Sequence, residues 1–193
     1  ASLVAAIASV GSQGTSSNDP PVDAWRTVTL TKAFYLMHRS IENDPGLGDT
    51  GKCVSIQLSE KDDTARTTKS KLTYGNPETS ALIEKTVCVK VPRSDGSTNG
   101  DIIQMSNTES CDAETTQVRF VYSDYGTCDV TVVGTDESNC ELWVVEGAVA
   151  SKGDKSVKEK VDKCESEYDK ICKGPKYQIY DGAKCSSLRK SSK

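Results

Sequence analysis

The sequence predicts an all-β protein built around a closed, eight-stranded antiparallel barrel. Eight short runs of alternating apolar and polar residues follow one another, and Gly, Pro, Asn, Asp and Ser separate them. A chain of 193 residues is long enough for one such domain with its own core. The predicted strands are 34–42, 53–58, 69–74, 85–91, 101–105, 118–123, 129–133 and 142–145.

Two helices are predicted to flank the barrel. Asp23 is placed to cap a short N-terminal helix at 23–32. A longer helix at 156–173 has apolar residues at helical spacing, and Ser156 with Glu159 resembles a capping box. The apolar stripe of the second helix predicts that it packs against the outside of the barrel.

The ends of the chain differ in composition from the region between them. Residues 1–14 are small and apolar and then abruptly polar, which is typical of the end of a signal peptide and too short for a membrane span. Residues 15–22 are predicted to form a loose leader and 186–193 a polar, basic tail. The barrel domain is therefore expected at 23–185, with no membrane anchor.

Charge and motif content exclude several classes of function. The net charge of −4 gives no broad basic surface, which argues against nucleic acid as a partner. His38 is the single histidine, and the chain has no GxSxG motif, phosphate-binding loop or nucleophile–base pair. We therefore expect neither an enzyme nor a cofactor.

The eight cysteines predict a disulfide framework. Their number is even, none form CxxC pairs, and one histidine cannot complete the usual zinc sites. Disulfides form in oxidising compartments, so the protein is expected to be secreted. The cysteine pattern alone leaves the pairing open.

The last two predicted strands form a hairpin that carries acidic residues. Because side chains alternate along a strand, Glu141 and Trp143 share a face that excludes Cys140. If Cys128 and Cys140 bond outside the sheet, then Asp129, Glu141 and Trp143 point inward. Two carboxylates inside a barrel are costly without a cationic or hydrogen-bonding partner, and a small cationic ligand is such a partner.

This hairpin resembles the amine-binding signature of the lipocalins of tick saliva, whose founding members bind histamine. The signature is Cys128-Asp129-Val130, ten residues, Glu141-Leu142-Trp143, twenty residues, and Cys164. The resemblance covers about residues 23–185. Further landmarks in the same order are Asp23-Ala24-Trp25, Asn43-Asp44-Pro45, Cys53-Val54 and Tyr122-Ser123-Asp124.

The resemblance implies a lipocalin barrel with a short helix closing one end. It also implies two disulfides, Cys53–Cys185 and Cys128–Cys164.

Four cysteines remain once those two pairs are assigned. Cys88 and Cys111 lie near consecutive predicted strands and are placed to bridge a hairpin, whereas Cys140 points away from the lumen. Cys172 lies about two helical turns beyond Cys164. We therefore predict Cys88–Cys111 and Cys140–Cys172.

An inner amine site is predicted at Asp129, Glu141 and Trp143. Carboxylates orient an ammonium by charge-assisted hydrogen bonds, and an indole face adds cation–π attraction. Phe120 and Tyr122 are candidate walls, and alternation along the strand predicts that the two enter the lumen together or not at all. The alternative is that Asp129 and Glu141 bond to backbone or to Tyr and Thr hydroxyls, with Trp143 in the core.

A second, outer amine site is not expected. Relatives that hold an outer ligand use aromatic and acidic residues where this chain has Ile41, Leu47, Thr116 and Val118. Only Asp44 keeps its acid. It is a candidate ligand-binding residue and equally a candidate turn residue, because Asn43 and Pro45 flank it.

Three functions remain open at this point. The first is a monomeric salivary protein that sequesters a host biogenic amine, histamine or serotonin, and so suppresses inflammation and immunity. The second is an inhibitor of host complement or another immune protein that acts through surface loops, braced by disulfides. The third, binding of a lipid mediator, ranks below them because it needs an apolar lumen, and this lumen is expected to hold acids.

Overall fold

The computed structural model describes residues 19–93, 100–151 and 153–190, and its centre is a closed barrel of eight antiparallel strands. Each strand pairs with the next along the chain, and the first pairs with the eighth. The prediction of an eight-stranded barrel is confirmed. The strands are β1 Phe34–Arg39, β2 Ser55–Asp62, β3 Thr67–Gly75, β4 Ala81–Lys90, β5 Ile102–Ser106, β6 Thr115–Ser123, β7 Cys128–Val133 and β8 Asn139–Val145.

A short helix, α1 (Ala24–Val28), covers one end of the barrel. The Asp23 carboxylate accepts a hydrogen bond of 3.1 Å from the backbone N–H of Arg26 and so caps the helix, as predicted. Ala24 packs against a buried apolar cluster that includes Val91 and Phe120. The helix is shorter than the predicted 23–32. Its residues Thr27 and Val28 border the barrel cavity, so it closes this end of the barrel.

A longer helix, α3 (Lys155–Ile171), follows the short helix α2 (Glu146–Ala150) and lies outside the barrel. Its buried face, with Cys164 and Tyr168, packs on outward-facing residues of β7 and β8. The predicted Ser156 capping box is wrong. Asp154 is the cap, and its carboxylate accepts hydrogen bonds from the N–H groups of Ser156 (2.9 Å) and Val157 (3.3 Å).

Four disulfides brace this arrangement, and all four predicted pairs are confirmed. Two of them join α3 and the residue after it to the strands beneath. These bonds hold the outer faces of β7 and β8 against the helix, which leaves alternate residues of both strands facing the lumen. The pairs are Cys53–Cys185, Cys88–Cys111, Cys128–Cys164 and Cys140–Cys172.

The chain after α3 returns along the barrel. A short strand, β9 (Tyr177–Gln178), pairs with β1, and helix α4 (Gly182–Cys185) follows. The last described residues form β10 (Arg189–Lys190), which pairs in parallel with the start of β4. The part of the predicted basic tail that is described therefore follows the barrel wall.

The predicted signal-peptide remnant at 1–14 lies outside the described residues, as does the first half of the 15–22 leader. Among the residues described, no helix combines the length and the apolar character needed to cross a membrane.

Tyr168 offers a test of how α3 packs. Its ring is buried and meets the edge of the His38 ring at 4.4 Å between centroids, but its hydroxyl has no hydrogen-bond partner among the described residues. We expect Tyr168→Phe to leave the free energy of unfolding unchanged or to raise it by about 1 kcal/mol, because an unpaired polar atom is removed. Tyr168→Ala should lower it by about 3–5 kcal/mol through lost packing. Urea denaturation measures both, and a Tyr168→Phe variant less stable than the parent would contradict this packing.

Candidate ligand-binding site

The barrel encloses a cavity of about 510 Å³. Four neighbouring side chains of β7 and β8 form one wall, because each of these strands turns alternate residues inward. Asp129 pairs across the two strands with Trp143, and Thr131 pairs with Glu141. The three residues predicted from the acidic hairpin, Asp129, Glu141 and Trp143, are thus brought together in the lumen.

The Glu141 carboxyl group is buried but held by hydrogen bonds. One of its oxygens, Oε2, accepts from the Thr131 hydroxyl and from the Trp143 indole N–H, each at 2.9 Å. Burial raises the pKa of Glu141 to about 7, with a further contribution from Asp44. The two hydrogen bonds and the buried Arg39 oppose that rise. Glu141 therefore faces the lumen, as predicted, and it also makes the hydrogen bond to a Thr hydroxyl that was the alternative for this residue.

The Asp129 carboxyl group differs from Glu141 in one respect. Burial also raises the pKa of Asp129 to about 7, and a hydrogen bond from Ser123 opposes the rise. Its Oδ1 atom, however, is buried without a hydrogen-bond partner among the described residues. A buried acceptor left unpaired is costly, so this atom is the point in the cavity that favours a ligand with a donor.

Trp143 is at once core and cavity wall. It packs in a buried cluster with Phe34 and Leu36, and its ring borders the cavity. Its indole N–H is occupied by Glu141, so what it offers a ligand is ring surface.

Phe120 and Tyr122 do not enter the lumen together. The β6–β7 register shifts between them, so that Phe120 lies opposite Thr131 but Tyr122 lies opposite Val130. Such a β-bulge inserts one residue and reverses the face of those that follow. Phe120 therefore lines the cavity, whereas Tyr122 packs with the cluster beneath α3. The prediction of Tyr122 as a lumen wall is wrong, and the bulge gave no sequence signal.

The same bulge places Ser123 opposite Asp129. Opposite residues share a face, so Ser123 reaches the carboxyl group to which it donates. Regular alternation from Phe120 would turn Ser123 to the outside of the barrel, so Ser123 was not predicted as part of the site.

Asp44 lies at the opposite end of the cavity from α1, in the loop after β1. Its carboxylate accepts a hydrogen bond of 2.9 Å from the Gly46 N–H and caps a short 3₁₀ helix, Pro45–Leu47. It also borders the cavity. It is therefore the turn residue that its neighbours predicted, and it lies at the rim of the cavity.

Arg39 is a residue that sequence analysis missed. A bulge in β1 turns it to the same face as its partner Glu141, and it is fully buried. Its guanidinium donates to the carbonyl oxygens of three loop residues, Ile41, Glu42 and Asp49, at 3.0, 2.9 and 2.6 Å. Arg39 thus holds the loop that forms this rim.

Lys85 adds a cation at this rim. Its ammonium donates to the Asn107 side-chain oxygen and lies 3.5 Å from the Gly46 carbonyl oxygen. Burial lowers its pKa. No second amine site was expected here, because four positions lack the acidic and aromatic residues that such a site uses. All four border the cavity and none is charged: Ile41, Leu47, Thr116 and Val118.

One group of possible metal ligands occurs among the described residues, Asp124 with Cys128 and Cys164. The two sulfur atoms are bonded to each other, so they are not available to a metal. The Asp124 carboxylate instead accepts from the backbone N–H groups of Gly126, Thr127 and Cys128, and these bonds outweigh its burial and lower its pKa. Asp124 therefore fixes the turn that leads into β7.

The raised pKa values predict how stability depends on pH without ligand. At pH values between the ordinary pKa values of 3.8 and 4.5 and the folded-state values of about 7, the folded state holds protons on Asp129 and Glu141 that the unfolded chain has lost. Stability should therefore be highest near pH 5 and fall as pH rises towards 8. Asp129→Asn should make this slope shallower. Thermal unfolding in a pH series measures both, and a melting temperature that rises from pH 5 to 8 would contradict the assignment.

The barrel is similar to solved structures of ligand-bound proteins. The serotonin complex of a protein designated AM182 matches with a TM-score of 0.60 and 20% identity, over 91% of this chain and 100% of that one. The tryptamine complex of the amine-binding protein of Rhodnius prolixus matches with a TM-score of 0.53 and 17% identity, over 91% and 95% of the two chains. At these identities the likeness shows a lipocalin-type fold.

Sequence comparison identifies the family. The male-specific histamine-binding salivary protein of Rhipicephalus appendiculatus is 30% identical over 133 residues, 66% of this chain and 65% of that relative, so the match spans slightly less than two thirds of the relative's length. A family model described as tick histamine-binding protein matches residues 13–187. The chain therefore belongs to the tick histamine-binding protein family, a family of lipocalin-type binding proteins.

Proposed function

We propose that this protein sequesters a biogenic amine, histamine or serotonin, in the lumen of its barrel, with the ammonium group at Asp129. The observation that carries the proposal is the Oδ1 atom of Asp129, a buried acceptor without a hydrogen-bond partner among the described residues. An ammonium group donates three hydrogen bonds and carries the positive charge that offsets the negative charge of a buried carboxylate. The names of the histamine-binding salivary relative and of the two amine-bound structures agree with this ligand class.

Trp143 and Glu141 support an amine at this position. Trp143 lies directly opposite Asp129 on the neighbouring strand, and such partners have β-carbons about 4.5–5.5 Å apart. An ammonium at Asp129 therefore lies within reach of the indole face, which adds ~0.5–2 kcal/mol by cation–π attraction. Glu141, fixed by Thr131 and Trp143, offers a second acceptor without having to be reoriented.

The electrostatics favour a cation over a neutral ligand. Burial disfavours the ionised form of both carboxyl groups, so their pKa values stand at about 7. A bound ammonium reverses that preference, because an opposite charge nearby stabilises the carboxylate. Binding is then coupled to loss of a proton from the site, and the buried pair gains the partner that it lacks.

Sequestration requires tight, one-to-one binding and no turnover. We infer that the protein acts as a monomer in saliva, where it lowers the free concentration of a host mediator and so restrains inflammation. Four disulfides suit such an oxidising, extracellular setting.

Substitution of the two carboxyl groups tests the site. Asp129→Asn keeps the shape of the side chain but removes its charge, so it should weaken histamine and serotonin binding by more than tenfold. Glu141→Gln should also weaken both, by a smaller factor, because its hydrogen bonds to Thr131 and Trp143 leave it less free to bind. Isothermal titration calorimetry on the oxidised protein gives the affinities and the stoichiometry.

Glu114→Gln is the matched control. Glu114 is an exposed carboxylate at the rim of the same cavity, so its loss should change affinity by less than twofold. If all three variants bind as the parent does, the carboxylates of the lumen do not hold the ammonium.

The pH dependence of binding gives an independent test. Affinity for histamine should increase from pH 6 to pH 8 and then level off, because the carboxyl groups with a pKa of about 7 ionise over that range. The slope is at most about tenfold per pH unit for each proton released. Titration in two buffers with different ionisation enthalpies counts those protons. Equal affinity at pH 6 and pH 8 would contradict the coupling.

A further inference from the structure

The cavity is longer than a small amine needs. Its volume of about 510 Å³ lies in the range of about 300–1,000 Å³ that is usual for drug-sized ligands. Asp129 borders it near the start of β7 and Val133 near the end of that strand. At a rise of about 3.3 Å per residue the two positions are roughly 13 Å apart along β7. A ligand bound at Asp129 therefore has space to extend towards the rim that carries Asp44.

Away from the carboxyl groups the cavity is lined largely by hydrocarbon, with the polar side chains of Ser70, Ser106 and Thr116 among the apolar ones. The inner faces of β2, β5 and β6 contribute Ile56, Leu58, Ile103, Met105 and Val118. Among the described residues, the charged side chains that border the cavity are not on β2, β5 or β6. Asp129 and Glu141 are on β7 and β8, and the others are in the segments that precede or follow strands: Lys32, Asp44 and Glu114.

We propose that the site takes a primary amine with an extended apolar tail, its ammonium at Asp129 and its tail along this hydrocarbon wall. The inference rests on the proposed function, since it needs the ammonium at Asp129, and it adds the shape and polarity of the rest of the ligand. Histamine has one ring and a two-carbon arm, which leaves most of the wall uncovered. A longer tail removes both surfaces from water, and affinity increases with the apolar area buried.

The reverse orientation fits less well. A fatty acid would place its carboxylate at the rim, where Lys85 is the cation, and its tail beside the two carboxyl groups. The Lys85 ammonium already donates to Asn107 and faces the Gly46 carbonyl oxygen, so a carboxylate would have to displace these partners. Its tail would also cover the unpaired Oδ1 of Asp129 without providing a donor. The charge pattern therefore selects a cationic head over an anionic one.

A series of straight-chain amines tests the proposal. Titrations with butylamine, hexylamine, octylamine and decylamine, each below its micelle concentration, should show the dissociation constant falling about fourfold for each added methylene. The fall should continue through decylamine, because a tail of about ten carbons spans the roughly 13 Å to the rim. Decanol and sodium decanoate have the same tail and should bind at least tenfold more weakly than decylamine.

Substitutions in the hydrocarbon wall test whether the dependence of affinity on tail length arises from contact with this wall. Val118→Phe narrows the lumen and should reduce the ratio of hexylamine to decylamine dissociation constants towards one. Thr116→Phe, at an exposed position of the same wall, gives a second obstruction that does not disturb the core. Gln117→Phe puts the same ring next to Val118 on the outer face of β6 and should leave the ratio unchanged. Because each ratio is measured on one protein sample, partial unfolding does not alter it.

The outcomes separate this inference from the proposed function. If histamine binds but the four alkylamines bind with equal affinity, the tail site is refuted and the amine site stands. If decanoate binds as tightly as decylamine, the selection for a cationic head is refuted. If neither histamine nor any alkylamine binds, the proposed function itself fails.

Discussion

Two carboxyl groups buried in a largely apolar barrel are the constraint on which the rest of this structure depends. Burial of an ionised carboxylate is costly, so the pKa values of Asp129 and Glu141 are raised to about 7. The chain therefore folds most readily with both groups protonated. Apolar side chains at these positions would serve stability better. Strongly perturbed groups in a cavity are characteristic of functional sites. In this chain they line the inner wall of the barrel cavity.

The remainder of the fold fixes these two groups in place. Two disulfides and α3 hold the outer faces of β7 and β8, so the inward residues of both strands have a fixed direction. Glu141 is held further by Thr131 and Trp143. Arg39 binds three carbonyl groups of the loop at the rim. A site ordered before its ligand arrives loses little conformational entropy on binding, which favours high affinity.

The regular features of this chain could be predicted from its sequence, whereas the irregular ones could not. Alternation along β7 and β8 gave the direction of Asp129, Glu141 and Trp143, since both strands are regular between these positions. The bulges in β6 and β1 break that alternation, and they turn Tyr122 outward and bring Ser123 and Arg39 inside. A bulge depends on pairing with a neighbouring strand, and no local residue pattern marked these two.

Disulfide pairing could be predicted only in part from local residue patterns. The resemblance to tick lipocalins supplied two pairs, and strand direction with helical spacing supplied Cys140–Cys172. The N-terminus of α3 shows the limit of such local patterns. Ser156 and Glu159 matched a capping box, but the carboxylate of Asp154, two residues earlier, accepts both backbone hydrogen bonds.

The central claim is that Asp129 carries the charge that holds the ammonium, and a direct measurement is the NMR titration of its carboxyl carbon with and without histamine. Asp129→Asn identifies the resonance. The account predicts a pKa of about 7 in the free protein and a decrease of two units or more when histamine is saturating, because the bound cation stabilises the carboxylate. A pKa of Asp129 that is the same in the free and the histamine-saturated protein would contradict the account.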